Sequence, residues 1–252
     1  LSKENFALFE EGIRQIPETS VLIFYMDLTE VSTKKTDKWF PILTLCAKQG
    51  ICAELNGRSV GAMVSLIASG AKKRGCTISP ETAQYLIRYC GDELQVLLNE
   101  LDKLCAFVGS GGITEENINE VCVKSVEASV FDLAKTIIEN NADAAFSILT
   151  ALLSQKTEPT IILGTLASTY VDIYRAKAAA AENRHTREIT NLFSYKGKSF
   201  RLEQASKLAR SLSLQTAKQC VAALSEADIA IKFSSKPNSL VLEELLTKLL
   251  QV

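Results

Sequence analysis

Apolar residues recur at three- and four-residue steps through most of the chain, which predicts a series of amphipathic helices. The clearest helix spans residues 93–107, and its apolar face consists of Leu94, Leu97, Leu98, Leu101, Leu104 and Cys105. Asp92 is predicted to cap the N-terminus, because a carboxylate accepts the free N–H groups of the first turn. Gly109 is predicted to end the helix. Glu100 and Lys103 fall on the polar face, three residues apart, where they can form an ion pair.

The first 56 residues show a different pattern. Residues 20–26 are continuously apolar, β-branched or aromatic, which is typical of a strand buried on both faces of a parallel sheet. Residues 51–55 predict a second short strand, and helices are predicted over 5–16 and 34–49. This alternation indicates the end of an α/β domain. Because two strands are too few to form a stable sheet, we expect the earlier strands to lie upstream of Leu1.

Only helical patterns follow. Four helices are predicted within residues 57–124, one of them opened by Ser79 and Pro80, and residues 124–128 are predicted to form a linker. The later predicted helices span 129–139, 142–154, 158–182, 186–193, 200–211, 214–233 and 239–251. The predicted fold class is therefore mainly α, with three domains. These are the end of an α/β domain (1–56), a small helical domain (57–125) and a C-terminal helical bundle (126–252).

Charge and composition narrow the possible functions. The chain has 28 Lys and Arg against 29 Asp and Glu, a net charge of -1, so any contact with nucleic acid must come from a local basic patch. Its seven cysteines form no CxxC pair and there is one histidine, which argues against a zinc site and a disulfide framework. Such cysteines are typical of buried thiols in a reducing compartment, so a cytoplasmic location is expected. No apolar run approaches the length of a membrane span.

Candidate catalytic chemistry is sparse. The chain contains no GxxxxGK[ST], GxGxxG, HExxH or GxSxG motif, and no catalytic, cofactor-binding or metal site is predicted. Asp27 follows the first predicted strand, where a ligand-binding carboxylate or a loop-capping residue would lie, and the capping role is favoured. His185 lies in a polar stretch that indicates a solvated turn. Lys72–Arg74 ends a predicted helix, where the helix dipole already favours cations.

One basic stretch combines lysine, arginine and aromatic residues in a predicted loop. Lysine and arginine neutralise phosphates, and a tyrosine can stack on an exposed base. The candidate DNA-binding residues are Tyr195, Lys196, Lys198 and Arg201. The alternative interpretation of this stretch is a solvated loop between two helices.

The order of these segments resembles the delta-subunit family of bacterial DNA polymerase III, within the AAA+ clamp loaders. The resemblance rests on Gly91-Asp92 followed by LLNELDKL (97–104), on VFDL (130–133), and on LSEADIAIK (224–232). It implies that 1–56 is the C-terminal part of a AAA+ α/β domain, 57–125 a helical lid, and 126–252 a collar used for oligomerisation.

The resemblance also implies a mechanical function. Delta subunits open the sliding clamp for loading onto primed DNA, as members of a DNA-directed DNA polymerase (nucleotidyltransferase) holoenzyme. The implied partners are other clamp-loader subunits, bound through the collar, and the clamp, bound through a region upstream of Leu1. No ATPase or polymerase site is expected in this chain, and neither a cofactor nor a membrane is implied.

One departure from related subunits fits a subunit that does not hydrolyse ATP. ATP-hydrolysing clamp-loader subunits carry an arginine shortly after Gly-Asp in the lid helix, whereas here Glu93, Leu94 and Gln95 follow Asp92. None of these three can donate a charged hydrogen bond to phosphate, and the family's Ser-Arg-Cys stretch is also absent. Two alternatives stay open: an active AAA+ ATPase whose phosphate loop lies upstream, and a helical interaction scaffold unrelated to replication.

Overall fold

The computed structural model describes residues 3–25, 34–36, 38–54, 58–184, 186–193, 195 and 199–252. The chain divides into two compact units, residues 1–57 and 58–252. Among the helices of the described residues, none combines the length and the apolar character needed to cross a membrane.

The described residues of the first unit form two helices, α1 (Lys3–Arg14) and α2 (Phe40–Gln49). The two strand predictions are wrong for the described part of each segment, because residues 20–25 and 51–54 lie in no strand. Val21 is 88% exposed and Ile51 94% exposed. A strand is stabilised by hydrogen bonds to a neighbouring strand, and the described residues of this unit provide none. The predicted α/β character of 1–56 is therefore not seen among the described residues of this segment, whereas the mainly helical class of the chain is confirmed.

The second unit begins with four helices and two short strands. Their bounds are α3 (Val60–Lys73), β1 (Cys76–Ile78), α4 (Pro80–Cys90), α5 (Leu94–Val108), β2 (Gly111–Ile113) and α6 (Glu115–Val121). Together they enclose one group of buried apolar residues between Met63 and Cys122, which we call the first core.

Side-chain caps define the ends of these helices. Ser59, Ser79 and Thr114 each accept a hydrogen bond from a backbone N–H of the first turn, as expected for N-cap hydroxyls. The predicted cap at Asp92 is wrong by one residue: α5 begins at Leu94, and Glu93 at the N-cap position makes no side-chain cap bond. The predicted end at Gly109 is correct, because its φ of 72° is a left-handed conformation that favours glycine.

The two strands form a parallel pair that the sequence pattern did not predict. Cys76 lies opposite Gly111, and Ile78 lies opposite Ile113. Each strand has three residues, which is too short for alternation of apolar and polar residues to be recognised. Cys76 and Ile113 are buried in the first core, so the pair joins the loops that follow α3 and α5.

Seven further helices complete the second unit. Their bounds are α7 (Val126–Ile138), α8 (Ala142–Ser154), α9 (Pro159–Ala181), α10 (Thr186–Leu192), α11 (Ser199–Ala209), α12 (Leu214–Phe233) and α13 (Asn238–Leu249). Ser125 caps α7, so this helix begins inside the segment predicted as a linker. The helices enclose a separate group of buried apolar residues between Val130 and Leu249, which we call the second core.

Helix α9 lies at the centre of the second core. It packs against α7, α10, α11, α12 and α13, and its buried side chains include Leu166, Tyr170 and Ile173. Because neighbours surround it, apolar residues are distributed around the helix rather than along one stripe. A buried polar side chain on α9 is stabilised only where the protein supplies partners, which, among the described residues, Asp172 has and the hydroxyl of Tyr170 does not.

A short polar joint connects the two cores. The backbone N–H of Ser125 donates to the carbonyl of Tyr89 at 2.9 Å, which ties the start of α7 to the end of α4. Lys124 forms an ion pair with Asp132 of α7, and its Nζ lies 5.6 Å from the centre of the Tyr89 ring.

Candidate nucleic-acid-binding site

Two of the four predicted DNA-binding residues lie in the described part of the chain. Tyr195 and Arg201 are described, whereas Lys196 and Lys198 lie outside the described residues, as do Asp27 and His185. Tyr195 precedes α11, and Arg201 lies in its first turn. Both side chains contact one residue of α9, Asp172.

Asp172 is a buried carboxylate with several polar partners. The residue is only 4% exposed, and Tyr195 donates a hydrogen bond from its hydroxyl to Oδ1. Arg201 places Nη2 3.2 Å from Oδ2 and donates from the same nitrogen to Ser168 Oγ at 2.7 Å. A buried carboxylate is costly unless charged and hydrogen-bonding partners surround it. The cluster therefore fixes the start of α11 against α9.

Arg175 completes the cluster, and sequence reasoning missed it. Its Nη1 donates to the Tyr195 hydroxyl at 3.0 Å and lies 3.6 Å from Asp172 Oδ1. Its guanidinium carbon lies 3.8 Å from the centre of the Phe193 ring, a cation–π contact. The i,i+3 spacing of Asp172 and Arg175 was the available signal. This signal was weak, because the aromatic partners of Arg175, Phe193 and Tyr195, come from a different part of the chain.

The protonation state of Tyr195 follows from its surroundings. Partial burial raises the pKa of the Tyr195 phenol, the Asp172 carboxylate raises it further, and the hydrogen bond from Arg175 opposes both. The phenol therefore keeps its proton at neutral pH and acts as the donor to Asp172.

The cluster keeps a net positive charge near the surface. Among the described residues of the cluster, two guanidinium groups face one carboxylate, so these three groups together carry one net positive charge. About a third of each arginine side chain is exposed, and each guanidinium has five N–H donors. Outward-facing donors can contact a phosphate while the internal contacts are kept. The exposed Phe193 ring beside Arg175 provides a face on which a base can stack.

A second surface feature lies at the end of α12. Ile229 and Phe233 are four residues apart and therefore neighbours on the helix surface. Phe233 is 82% exposed. Adjacent exposed apolar side chains are typical of a surface that contacts another protein.

The fold is similar to that of a solved clamp-loader protein. Over its whole length the chain superimposes on the Bacillus subtilis DNA clamp loader delta protein with a TM-score of 0.65 and 23% sequence identity, covering 74% of that chain. At this identity the match shows the fold alone.

Two sequence comparisons find similarity to one family. Residues 127–249 match the family model described as the DNA polymerase III delta subunit, C-terminal domain. Over 182 residues, 72% of its length, the chain is 27% identical to DNA polymerase III subunit delta of Bacillus subtilis (strain 168). The alignment covers 52% of that relative, so this chain spans about half its length. The C-terminal part of this chain is therefore similar to the C-terminal domain of the DNA polymerase III delta subunit family.

Proposed function

We propose that this chain is a delta-type clamp-loader subunit, which helps to open the sliding clamp for loading onto primed DNA without hydrolysing ATP itself. The observation that carries the proposal is the match of residues 127–249 to the delta C-terminal domain. The absence of an arginine after Gly91-Asp92 supports the view that ATP is hydrolysed by partner subunits. The chain would act in the cytoplasm as part of a polymerase holoenzyme.

In this proposal the domains have separate roles. Residues 126–252 form the collar that binds other clamp-loader subunits, and residues 57–125 form the lid that links it to the AAA+ domain, of which 1–56 is the end. The exposed side chains of Ile229 and Phe233 on α12 support a collar contact with a neighbouring subunit. The clamp would be held by the full-length protein.

Co-assembly tests the proposal. The chain, mixed with the ATPase subunits of a clamp loader, is expected to enter a stable hetero-oligomer measured by sedimentation velocity. Phe233→Asp is expected to weaken assembly, because it places a charge on the proposed contact surface. The matched control is Phe107→Asp, which alters an exposed phenylalanine of α5. A folded chain that stays monomeric would favour the scaffold alternative, and equal effects of the two variants would exclude α12 as the contact.

DNA contact through the stretch before α11 that the sequence predicts to be a loop is the second part of the proposal. Tyr195, Lys196, Lys198 and Arg201, joined by Arg175, would contact the phosphate backbone of primed DNA. The net positive charge around Asp172 and the exposed Phe193 ring support this site.

Fluorescence anisotropy with a primed DNA can test the loop. Changing Lys196 and Lys198 together to alanine is expected to weaken binding several-fold. It should also reduce the slope of log affinity against log salt by roughly 0.7–0.9 for each phosphate that is no longer neutralised. Changing Lys218 and Lys232 of α12 to alanine removes the same charge elsewhere and controls for net charge. If both double variants bind alike, the loop is not the site.

A further inference from the structure

Three residues that could act as metal ligands, distant in sequence, meet inside the first core. Cys90 is the last residue of α4, Glu100 lies in the middle of α5, and Cys122 is the C-cap of α6. Their two sulfur atoms and a carboxylate oxygen lie within 4.8 Å of one another, and all three residues are buried. No other group of this kind was found within the described residues.

The position of Glu100 is unusual for a residue that helical periodicity assigns to a polar face. It is 7% exposed, and a buried ionised carboxylate is unfavourable without compensation. Its Oε2 pairs with Lys103 Nζ at 2.6 Å and accepts from the backbone N–H of Val123 at 3.4 Å. A well-packed apolar residue in place of such an ion pair is frequently neutral or stabilising. Core packing alone therefore does not require a carboxylate beside two thiols.

From this donor set we infer that Cys90, Cys122 and Glu100 form a binding site for a soft divalent cation of the zinc class. Thiolate sulfur and carboxylate oxygen are ligands that zinc accepts, and three protein ligands leave one tetrahedral position for water. Sulfur atoms around a tetrahedral zinc lie about 3.8 Å apart, given zinc–sulfur bonds of about 2.3 Å. Atoms already within 4.8 Å of one another need to close by no more than about an ångström.

The charges balance when the ion binds. Two thiols lose their protons to solvent on binding, so the ligands then carry three negative charges. The divalent cation and the adjacent Lys103 ammonium supply three positive charges. The divalent cation alone would leave one negative charge on the three ligands. The ammonium of Lys103, which pairs with Glu100, neutralises that charge.

The site lies beside the joint between the two cores. Cys90 follows Tyr89, whose carbonyl accepts from Ser125 N–H, and Cys122 precedes Lys124, which pairs with Asp132 of α7. A cation held by both cysteines would connect the end of α4 to the segment that leads into α7. The inference does not depend on the proposed clamp-loading function.

Cobalt(II) is a suitable probe, because it takes the same ligands as zinc and absorbs light when bound to thiolate. The full chain, reduced and freed of metal, is titrated with Co²⁺ and then with Zn²⁺. The expected result is a thiolate-to-cobalt charge-transfer band that saturates at one equivalent and is removed by Zn²⁺. A folded, reduced chain that develops no such band overturns the inference, whatever the behaviour of any variant.

Matched variants locate the ligands. Cys122→Ala is expected to abolish the band, and Glu100→Gln to lower cobalt affinity at least about tenfold while both thiols remain. The control is Cys105→Ala: Cys105 and Cys76 are also buried neighbours in the first core, with Cys76 Sγ 3.8 Å from the Cys105 carbonyl. Far-UV circular dichroism checks that each variant is folded. A band unchanged in Cys122→Ala, or abolished in folded Cys105→Ala, would place the ion elsewhere.

Discussion

At the scale of single residues, Asp172 is a buried carboxylate that connects α9 to the start of α11. It brings Tyr195, Arg175 and Arg201 to one point on α9, although the two arginines lie 26 positions apart in sequence. Removing the charge of a buried acid leaves its cationic partners without compensation, which costs more than the loss of one hydrogen bond.

The variant Asp172→Asn is expected to lower the free energy of unfolding by about 2 kcal/mol, because an amide keeps the shape but not the charge. Both arginines are partly exposed and stay hydrated, so the loss is smaller than for a fully enclosed ion pair. Urea denaturation followed by circular dichroism measures the change.

The control for this variant is Asp228→Asn. Asp228 pairs with Lys232 at 2.7 Å on the exposed surface of α12, where an ion pair contributes less than about 0.5 kcal/mol. If the two variants lose equal stability, the Asp172 cluster has no special structural role.

Only some of the contacts between side chains could be predicted from the sequence. The Glu100–Lys103 ion pair was predicted, since i,i+3 spacing on a helix is local. The same reasoning placed Glu100 in solvent, which is wrong, because its burial depends on Cys122 and Val123 beyond the end of α5. Tyr195 and Arg201 were recognised by residue type, but Asp172 was not, since these two partners lie more than 20 residues from it in sequence.

At the scale of elements, close contact between α3 and α5 depends on one glycine. A Cβ atom added at Gly70 would lie 2.9 Å from Leu101 Cδ2, which is closer than van der Waals contact allows. Leu101 is fully buried, so the surrounding side chains resist its displacement.

Gly70→Ala is therefore expected to destabilise the chain by about 1 kcal/mol, although alanine is the better helix former. Overpacking costs roughly 1–3 kcal/mol, and the gain in helix propensity offsets roughly 1 kcal/mol of it. Thermal or urea unfolding measures the net effect.

Gly61→Ala in the same helix provides the comparison. Nothing lies within 4 Å of the added Cβ at Gly61, so only the gain in propensity remains and the variant is expected to be neutral or slightly more stable. Stabilisation by both substitutions would show that α3 and α5 are not in tight contact at Gly70.

Helices were more predictable than strands for a physical reason. A helix is specified by a local period, so the predicted helix over 214–233 has the observed bounds of α12, and that over 142–154 matches α8. A strand needs a partner elsewhere in the chain. Residues 20–25 have strand-like composition without one, whereas β1 and β2 pair across 35 residues with little compositional signal.

At the scale of the whole molecule, the second unit has two hydrophobic cores that share no residue. The first core is formed between Met63 and Cys122 and the second between Val130 and Leu249. Covalent continuity and a polar joint at residues 122–125 connect them. A region whose buried apolar residues all come from its own sequence has the property that defines an independently folding domain.

A fragment of residues 126–252 is therefore expected to fold by itself with a cooperative thermal transition. It keeps every residue of the second core and lacks, at the joint, the Ser125 cap, the hydrogen bond to Tyr89 and the ion pair of Lys124 with Asp132. Without the cap the first turn of α7 is exposed, at a cost of about 1 kcal/mol. Circular dichroism and amide exchange measure the outcome, with the slowest exchange expected in α9.

A fragment beginning at Ser125 controls for the cap. If neither fragment unfolds cooperatively, the second core depends on the first, and a separate collar domain would have to be abandoned.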